Sequence, residues 1–237
     1  MKPLILAVAL VLSAYMIAQG LKEFRSFERI VTVKGLATQD VEADIAVWPI
    51  KHVVTGDDLP DLQAKIEKNS SKINDFLIAQ GLSKTDIISK TANVYDKLAQ
   101  AYGEPNILSN RYILSETIMV STNNIDGVDK ASQNAGDLIR DGIPLVRDMD
   151  PMGAGNPAYI YTKLNDIKPE MISTATKNAR ASAEQFASDS GASIGRINQA
   201  DQGMFVILPR NSDNNYMERS ERLKTVRVVS TLKFYIE

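Results

Sequence analysis

Alternation of apolar and polar residues predicts β-strands along most of the chain. It is clearest near the C-terminus, where apolar residues at positions 226, 228, 232, 234 and 236 would share one face of an extended strand. Val41, Ala43, Ile45 and Val47 alternate in the same way, and Leu36–Asp40 is predicted to link that strand to the one before it. The predicted strands are Glu28–Lys34, Val41–Trp48, Ile87–Leu98, Tyr112–Ser121, Ala158–Leu164, Gly195–Leu208 and Thr225–Ile236, with Pro144–Met149 as a further short candidate.

Three other stretches repeat their apolar residues every three or four positions, as one face of an α-helix does. Asp57 and Asp58 stand where an N-cap belongs, and Pro60 suits a first helical turn. The helices are predicted over Asp58–Gln80, Ile125–Ile139 and Pro169–Ser190, each ended by a glycine: Gly81, Gly142 and Gly191. Paired strands between helices favour an α+β fold, with antiparallel or mixed sheets and about three helices packed on them.

The N-terminal segment is apolar and free of charge from Pro3 to Leu21, between Lys2 and Lys22. As a helix it would span about 28 Å, close to the ~30 Å hydrocarbon core of a bilayer. We therefore expect residues 1–25 to form an apolar signal-anchor or transmembrane helix that precedes the α+β fold. Ala18-Gln19-Gly20 resembles a signal-peptidase site, so a cleaved signal is the alternative. The charges on the two sides of the run do not fix an orientation.

Composition excludes several kinds of chemistry. The chain has 237 residues, no cysteine, a single histidine and a formal net charge of −2. Disulfides, thiolate zinc sites, cysteine nucleophiles and mechanisms that need two histidines are therefore excluded. A basic stripe with interleaved aromatic residues is missing, which argues against a nucleic-acid partner.

Two motifs match catalytic or cofactor-binding signatures by letter but not by context. Gly191-Ala192-Ser193-Ile194-Gly195 fits the G-x-S-x-G nucleophile elbow, which needs a strand before the serine and a helix after it. Here a predicted helix precedes Ser193 and a predicted strand follows it. Gly153-Ala154-Gly155-Asn156-Pro157-Ala158 fits a loose dinucleotide-binding pattern, but a strand is predicted where that pattern must open a helix. We assign neither motif a function.

Isolated polar residues give no stronger signal. His52 follows a predicted strand with no ligand-like neighbours, and we interpret it as an ordinary strand residue. The acids Asp57, Asp58 and Asp61 suit the first turn of a helix, and Asp148 and Asp150 suit a turn, so no metal site is predicted. We therefore predict no catalytic, cofactor-binding or metal-binding residue, no cofactor and no enzymatic activity.

Three loops and four tyrosines are the remaining candidates for binding. The loops at Ala101–Asn106, Gly153–Pro157 and Asn211–Arg222 would have to meet in space to bind a small molecule or peptide. Tyrosines are enriched in interfaces, and several lie in or near these loops. They are Tyr102, Tyr159, Tyr161 and Tyr216.

Several segments resemble the SIMPL-domain family of bacterial envelope proteins, which includes the periplasmic immunogenic proteins. The similarity rests on Val31–Ala37, Val41–Pro49, the alanine-rich stretch Ala175–Ala187 ending at Gly191, and Ile194–Ile197. It extends from about Arg29 to the C-terminus, so residues 26–237 are interpreted as one SIMPL-like domain. The resemblance supplies no catalytic residues.

The resemblance implies an α+β domain in the periplasm or on the outer face of the cell envelope. It also implies self-association, seen as ring-like homo-oligomers in some relatives, and a link to envelope or oxidative stress tolerance. The sequence therefore predicts a non-enzymatic cell-envelope protein that binds itself and, through its N-terminal helix, the membrane. A periplasmic binding module for a small molecule or peptide is the alternative, and so is a hydrolase using Ser193.

Overall fold

The structure is a computed structural model that describes residues 12–17, 29–99, 110–146, 155–211 and 215–237, with side chains in the last range from Met217 onward. Strands and helices occur in mixed order, which confirms the α+β class. Residues 12–17 are helical, and the rest of the predicted N-terminal anchor lies outside the described residues. Within the described part of the chain, no helix is both long enough and apolar enough to cross a membrane.

The described residues form eight strands and four labelled helices. The strands are β1 (Ile30–Glu42), β2 (Ile45–Gly56), β3 (Ile87–Asp96), β4 (Tyr112–Thr122), β5 (Ala158–Ile160), β6 (Ile194–Gln202), β7 (Val206–Pro209) and β8 (Leu223–Ile236). The helices are α1 (Leu59–Ala79), α2 (Ile125–Gln133), α3 (Gly136–Arg140) and α4 (Leu164–Asp189). Short 3-10 helices lie at Lys84–Asp86, Lys97–Ala99 and Asn215–Ser220.

The chain divides into two compact units. The first takes in residues up to Gln39 together with Asn165–Ile207 and Val226–Glu237, and the second takes in Asp40–Leu164 and Leu208–Thr225. Each unit is therefore assembled from segments that are distant in sequence.

In the second unit, a four-stranded sheet has the order β3-β4-β2-β5, and each neighbouring pair is antiparallel. Ala46, Trp48, Ile50 and His52 alternate along β2 and are all buried, so this face of the sheet faces the core. Helix α1 contributes a matching stripe at helical spacing. The buried residues of that stripe are Leu62, Ile66, Ser70, Ile73 and Leu77.

Helix α1 begins and ends where the sequence predicts. Asp58 is the N-cap, and its Oδ1 accepts a hydrogen bond of 2.9 Å from the backbone N–H of Asp61. Pro60 lies in the first turn, where its missing N–H costs no helical hydrogen bond. Gly81 follows the helix with φ of +92°, a conformation that favours glycine.

In the first unit, the strand order is β1-β8-β6, and β7 also pairs with β8. Helix α4 buries an alanine stripe of Ala175, Ala179, Ala183 and Ala187. The small side chains permit a very close approach to β1. A Cβ atom built on Gly35 would lie 1.9 Å from the carbonyl oxygen of Ala175 and 2.5 Å from the nitrogen of Ala179.

The first strand is longer than predicted. Residues Leu36–Asp40 were predicted to link two strands, but they are part of a continuous β1, so that prediction was wrong. Strand β8 runs for 14 residues beside β1 and provides a partner along this polar stretch. Asp40 accepts a hydrogen bond of 2.7 Å from Thr225 Oγ1. The chain turns instead at Ala43, whose backbone N–H donates to the carbonyl of Arg222 at 2.9 Å.

Two of the three predicted helices have different bounds. The second predicted helix is divided into α2 and α3, because Asn134 and the nearby Gly136 are poor helix formers. The side chain of Asn134 also forms a contact outside the helix, since its Nδ2 donates to Gln80 Oε1 at 3.0 Å. The third begins five residues earlier than predicted, so Pro169 lies inside α4 rather than at its start.

Several predicted strands also changed. Ala158–Leu164 shortens to β5, and Gly195–Leu208 is divided into β6 and β7. From Pro144–Met149, Leu145 forms only an isolated bridge to His52, and residues from 147 onward lie outside the described residues. The predicted polar loop Asn211–Arg222 contains a 3-10 helix, which is held by an ion pair of 2.6 Å between Lys224 Nζ and Glu218 Oε1.

Replacing Gly35 by alanine is predicted to destabilise the first unit strongly. The added methyl would overlap the backbone of α4, which cannot move aside as a side-chain tip could. We expect a loss of about 3 kcal/mol in the free energy of unfolding, the upper end for overpacking. Urea unfolding followed by circular dichroism measures it. The control is Thr32→Val on the exposed face of β1, expected within about 0.5 kcal/mol of the natural chain; an equal loss in both variants would contradict the close-packing explanation.

Candidate functional site

Over the described residues, neither sequence motif has the backbone that its signature requires. Ser193 follows α4, and its backbone N–H and carbonyl pair with Glu237 at 3.0 and 2.9 Å, so the helix comes before the serine and the strand after it. In the glycine-rich motif, residues 153–154 lie outside the described residues, and Gly155 has φ of +103°. The motif leads into β5, and the carbonyl of Gly155 accepts a hydrogen bond of 3.1 Å from Trp48 Nε1.

The acids near the start of α1 each have a local structural partner. Asp58 caps the helix, Asp57 Oδ1 accepts from the backbone N–H of Arg111 at 2.7 Å, and Asp61 pairs with Lys65 at 2.7 Å. Asp148 and Asp150 lie outside the described residues. Over the described ranges, no group of three or more histidine, aspartate and glutamate side chains is placed to hold a metal ion.

The loops and tyrosines are only partly described. Ala101–Asn106, with Tyr102, lies outside the described residues, as does the side chain of Tyr216. Tyr159 donates a hydrogen bond to Asp129, and Tyr161 donates to the carbonyl of Lys163 at 3.2 Å. The structure therefore does not test whether the three predicted loops meet.

The core of the second unit contains a polar cluster that sequence reasoning missed. His52 on β2 and Glu116 on β4 are direct partners in the sheet register, and Ser70 on α1 lies over them. We call these three residues the buried polar cluster. His52 is fully buried, Ser70 is buried, and the Glu116 side chain is only 13% exposed. The cluster lies where the apolar stripe of α1 is interrupted.

The geometry of the buried polar cluster is not that of a catalytic triad. His52 Nε2 lies 3.1 Å from Glu116 Oε2 and 3.4 Å from Ser70 Oγ, and Ser70 also donates to Glu116. A triad requires the acid on one imidazole nitrogen and the nucleophile on the other. Here both partners lie at Nε2, while Nδ1 is buried and has no hydrogen-bond partner among the residues that the structure describes. The arrangement orders the core but cannot relay a proton to Ser70 in the triad manner.

Burial sets the charge state of His52. Desolvation lowers the pKa of His52 below its usual value, and the nearby Lys90 lowers it further, whereas the hydrogen bond and charge of Glu116 oppose the shift without reversing it. The Nδ1 atom acts in the same direction, because an imidazolium would place a second N–H donor where the described part of the chain offers no acceptor. The neutral form, with Nε2–H donating to Glu116, fits the contacts.

A second polar group, the arginine cluster, joins distant parts of the second unit. Arg222 donates to Glu42, to Asp126 at 2.6 Å and to Asp129 at 3.2 Å. The hydrogen bond to Asp126, followed by that to Glu42, raises the pKa of Arg222, and burial beside Asp129 raises the pKa of Tyr159. The three carboxylates share one guanidinium, which cannot lose its proton, so Arg222 connects segments of the chain and does not act as a base.

A cavity of about 320 Å³ adjoins Trp48 in the second unit. Its walls are mixed, with apolar Ile139 and Leu145 facing polar Gln133 and Asn156. The volume lies at the lower end of the range for small-molecule sites. Gly155, Asn156 and Pro157, from one of the three predicted loops, line this cavity.

The most exposed regular element of the second unit is β3. It is the edge strand of its sheet, and its residues from Ile88 to Tyr95 are exposed on both faces. We call Ser89–Asp96 the open edge, because these residues pair continuously with β4 on one side only. Ile88, Val94 and Tyr95 are large apolar side chains that are 60%, 54% and 45% exposed. Such an edge is a template for pairing with another chain.

Stability is predicted to fall as the pH is lowered from about 7 to about 5.5. The unfolded chain takes up a proton on its single histidine near pH 6.5, whereas folded His52 resists protonation, so acid favours the unfolded state. Urea unfolding at several pH values measures the slope. His52→Gln is expected to be less stable overall but to lose this slope, and an equal slope in both proteins would exclude His52 as its source.

Comparisons with known proteins give a family but not an activity. No curated protein matches the chain. A solved structure titled "Crystal structure of a hydrolase from Listeria innocua" is similar at 11% identity, with 91% of this chain and 98% of that chain covered, but its TM-score of 0.23 supports no conclusion. The family model described as "SIMPL: Protein of unknown function (DUF541)" matches residues 31–231. That match covers most of the 237 residues, and the chain therefore belongs to the SIMPL family.

Proposed function

We propose that this SIMPL-family protein is a non-enzymatic component of the bacterial cell envelope that assembles with itself. Residues 1–25 would anchor it in the inner membrane, or be cleaved as a signal, and residues 26–237 would form the SIMPL domain on the periplasmic side. A role in envelope or oxidative stress tolerance is part of the proposal and rests on the family resemblance alone.

The observation that carries self-assembly is the open edge of β3. A regular strand with exposed backbone groups and exposed Val94 and Tyr95 favours pairing with a further strand. Other edges in the two sheets are less available for pairing. Strand β5 has only three residues, and β6 is irregular in register near Ile197.

The placement of the reactive residues supports a non-enzymatic role. Ser70 and His52 are enclosed in the core, so a substrate could reach them only after the sheet and α1 separate. Ser193 is in a turn after α4 and pairs through its backbone with Glu237. Neither serine is presented as an activated nucleophile would be.

A binding module for a small molecule or peptide is the alternative. The cavity beside Trp48 favours it, because Gly155, Asn156 and Pro157 from one predicted loop contribute to its walls. Its polar side chains and backbone groups could orient a small ligand, while Ile139 and Leu145 would contact its apolar part. Binding there does not require assembly, so the two proposals are separable.

The full-length protein is predicted to have a mass of several times the 26.1 kDa of one chain. Light scattering after size exclusion, in a mild detergent whose contribution is subtracted, measures it. A discrete multiple supports assembly. A monomer over a hundredfold range of concentration would contradict assembly and favour the binding module.

A protein tagged at its C-terminus is predicted to be degraded when protease is added to intact spheroplasts. The domain would lie outside the inner membrane, while a cytoplasmic protein in the same cells stays protected until lysis. Protection of the tag until lysis would contradict the envelope location, whatever the mass measurement shows.

A further inference from the structure

We propose that the open edge pairs with the open edge of a second copy, antiparallel, about a two-fold axis that passes between the two copies of Asn93. This inference rests on the proposed self-assembly and specifies one contact within it. The two four-stranded sheets would join into one sheet with the order β5-β2-β4-β3-β3-β4-β2-β5.

Of the edges of the two sheets, the β3 edge is the most accessible to a further strand. The opposite edge of the same sheet is the three-residue β5. In the other sheet, the β6 edge carries two register shifts, which blunt an edge against pairing. Along β1, a side chain of α4 already occupies a backbone group, because Asn178 donates to the carbonyl of Leu36 at 2.8 Å. In β3, the residues from Ser89 to Tyr95 are exposed, and the pairing with β4 has no bulge from Ser89 to Asp96.

Geometry restricts how β3 can pair with itself. A two-fold axis perpendicular to the sheet keeps each face of the strand on its own side, so residues of one face oppose residues of the same face. Because faces alternate with period two, the axis must lie between the two copies of one residue, which then face each other, and not at a point between two consecutive residues. Only a few registers therefore need to be compared.

The register centred on Asn93 is the one in which opposing side chains match. It places Ala92 opposite Val94 and Lys90 opposite Asp96 on one face, and Thr91 opposite Tyr95 on the other. Apolar, oppositely charged and aromatic–β-branched pairs all favour antiparallel strands. Each Asp96 already binds Arg111 at 2.8 Å, so Lys90 would face an ion pair and the charge contribution is smaller than for a lone carboxylate.

Neighbouring registers match less well. A centre at residue 92 places Lys90 opposite Val94 and Ile88 opposite Asp96, and a centre at residue 94 places Ala92 opposite Asp96. A centre at residue 91 places Lys90 opposite Ala92 and leaves Val94 to Asp96 without partners inside the open edge. The pattern of β3 is thus self-complementary about one residue, which points to a second copy rather than to an unrelated peptide.

Cysteine cross-linking in the full-length chain tests this register, because the natural chain has no cysteine. Across the axis the two residues at position 93 would have Cβ atoms about 5 Å apart. Asn93→Cys should therefore form a disulfide-linked dimer under mild oxidation. Ser89→Cys is the matched control on the same strand, since its two copies would be about 26 Å apart. We expect Asn93→Cys to cross-link at least about tenfold faster.

A mixture of Thr91→Cys and Tyr95→Cys chains fixes the register. These two should cross-link to each other faster than either does to itself. Equal rates for Asn93→Cys and Ser89→Cys would overturn the proposed pairing. If the natural protein then still has a mass of several chains in solution, self-assembly stands and uses another surface. If the natural protein is monomeric, both proposals fail.

Two variants at one exposed position provide a second measurement. Val94→Lys would place a lysine diagonally across from Lys90 of the second copy, and the repulsion should weaken association by about fivefold or more. Val94→Thr keeps a β-branched side chain and should change the association constant less than about twofold. Val94 is 54% exposed, so neither change should disturb folding, which circular dichroism verifies. Equal association of the two variants would overturn the pairing of this face.

Discussion

Burial of one face of each sheet is the constraint on which the other features depend. On β2, alternate residues from Ala46 to His52 are buried, while the residues between them are only partly covered. On β8, the same alternation runs from Lys224 to Phe234. One-sided burial requires a polar–apolar alternation and fixes register, since a slip by one residue would exchange the two faces. It also leaves strands beyond the helix cover, such as β3, open to solvent.

The buried polar cluster forms only in the observed register of β2 with β4. His52 and Glu116 are opposite each other only in the observed pairing of β2 with β4, and Ser70 reaches both only if α1 lies over that point. A buried hydrogen-bonded group is costly when any partner is missing, so alternatives to this arrangement are penalised. The interaction selects one packing, even where an apolar trio of similar volume would be equally stable.

Local sequence patterns predicted the class of the fold, but they did not predict the buried polar cluster or the open edge. The alternation of β8 and the capped, glycine-ended α1 were predictable because their signals lie within a few residues. The continuity of β1 through Leu36–Asp40 was not predictable, because it depends on a partner 185 residues away. Ser70 carried a signal that could have been used: a polar residue at an apolar position of the α1 stripe, with His52 at a core position of its strand. The exposure of β3 depends on strand order, which no local pattern contains.

The single tryptophan has a practical consequence for separating the two units. Trp48 lies in the core of the second unit and donates to the carbonyl of Gly155, so its fluorescence reports on that unit. The long α4, with its alanine stripe, is almost entirely in the first unit and dominates the helical signal there. Comparing the two optical signals during denaturation would reveal whether the halves lose structure in one cooperative transition or in two.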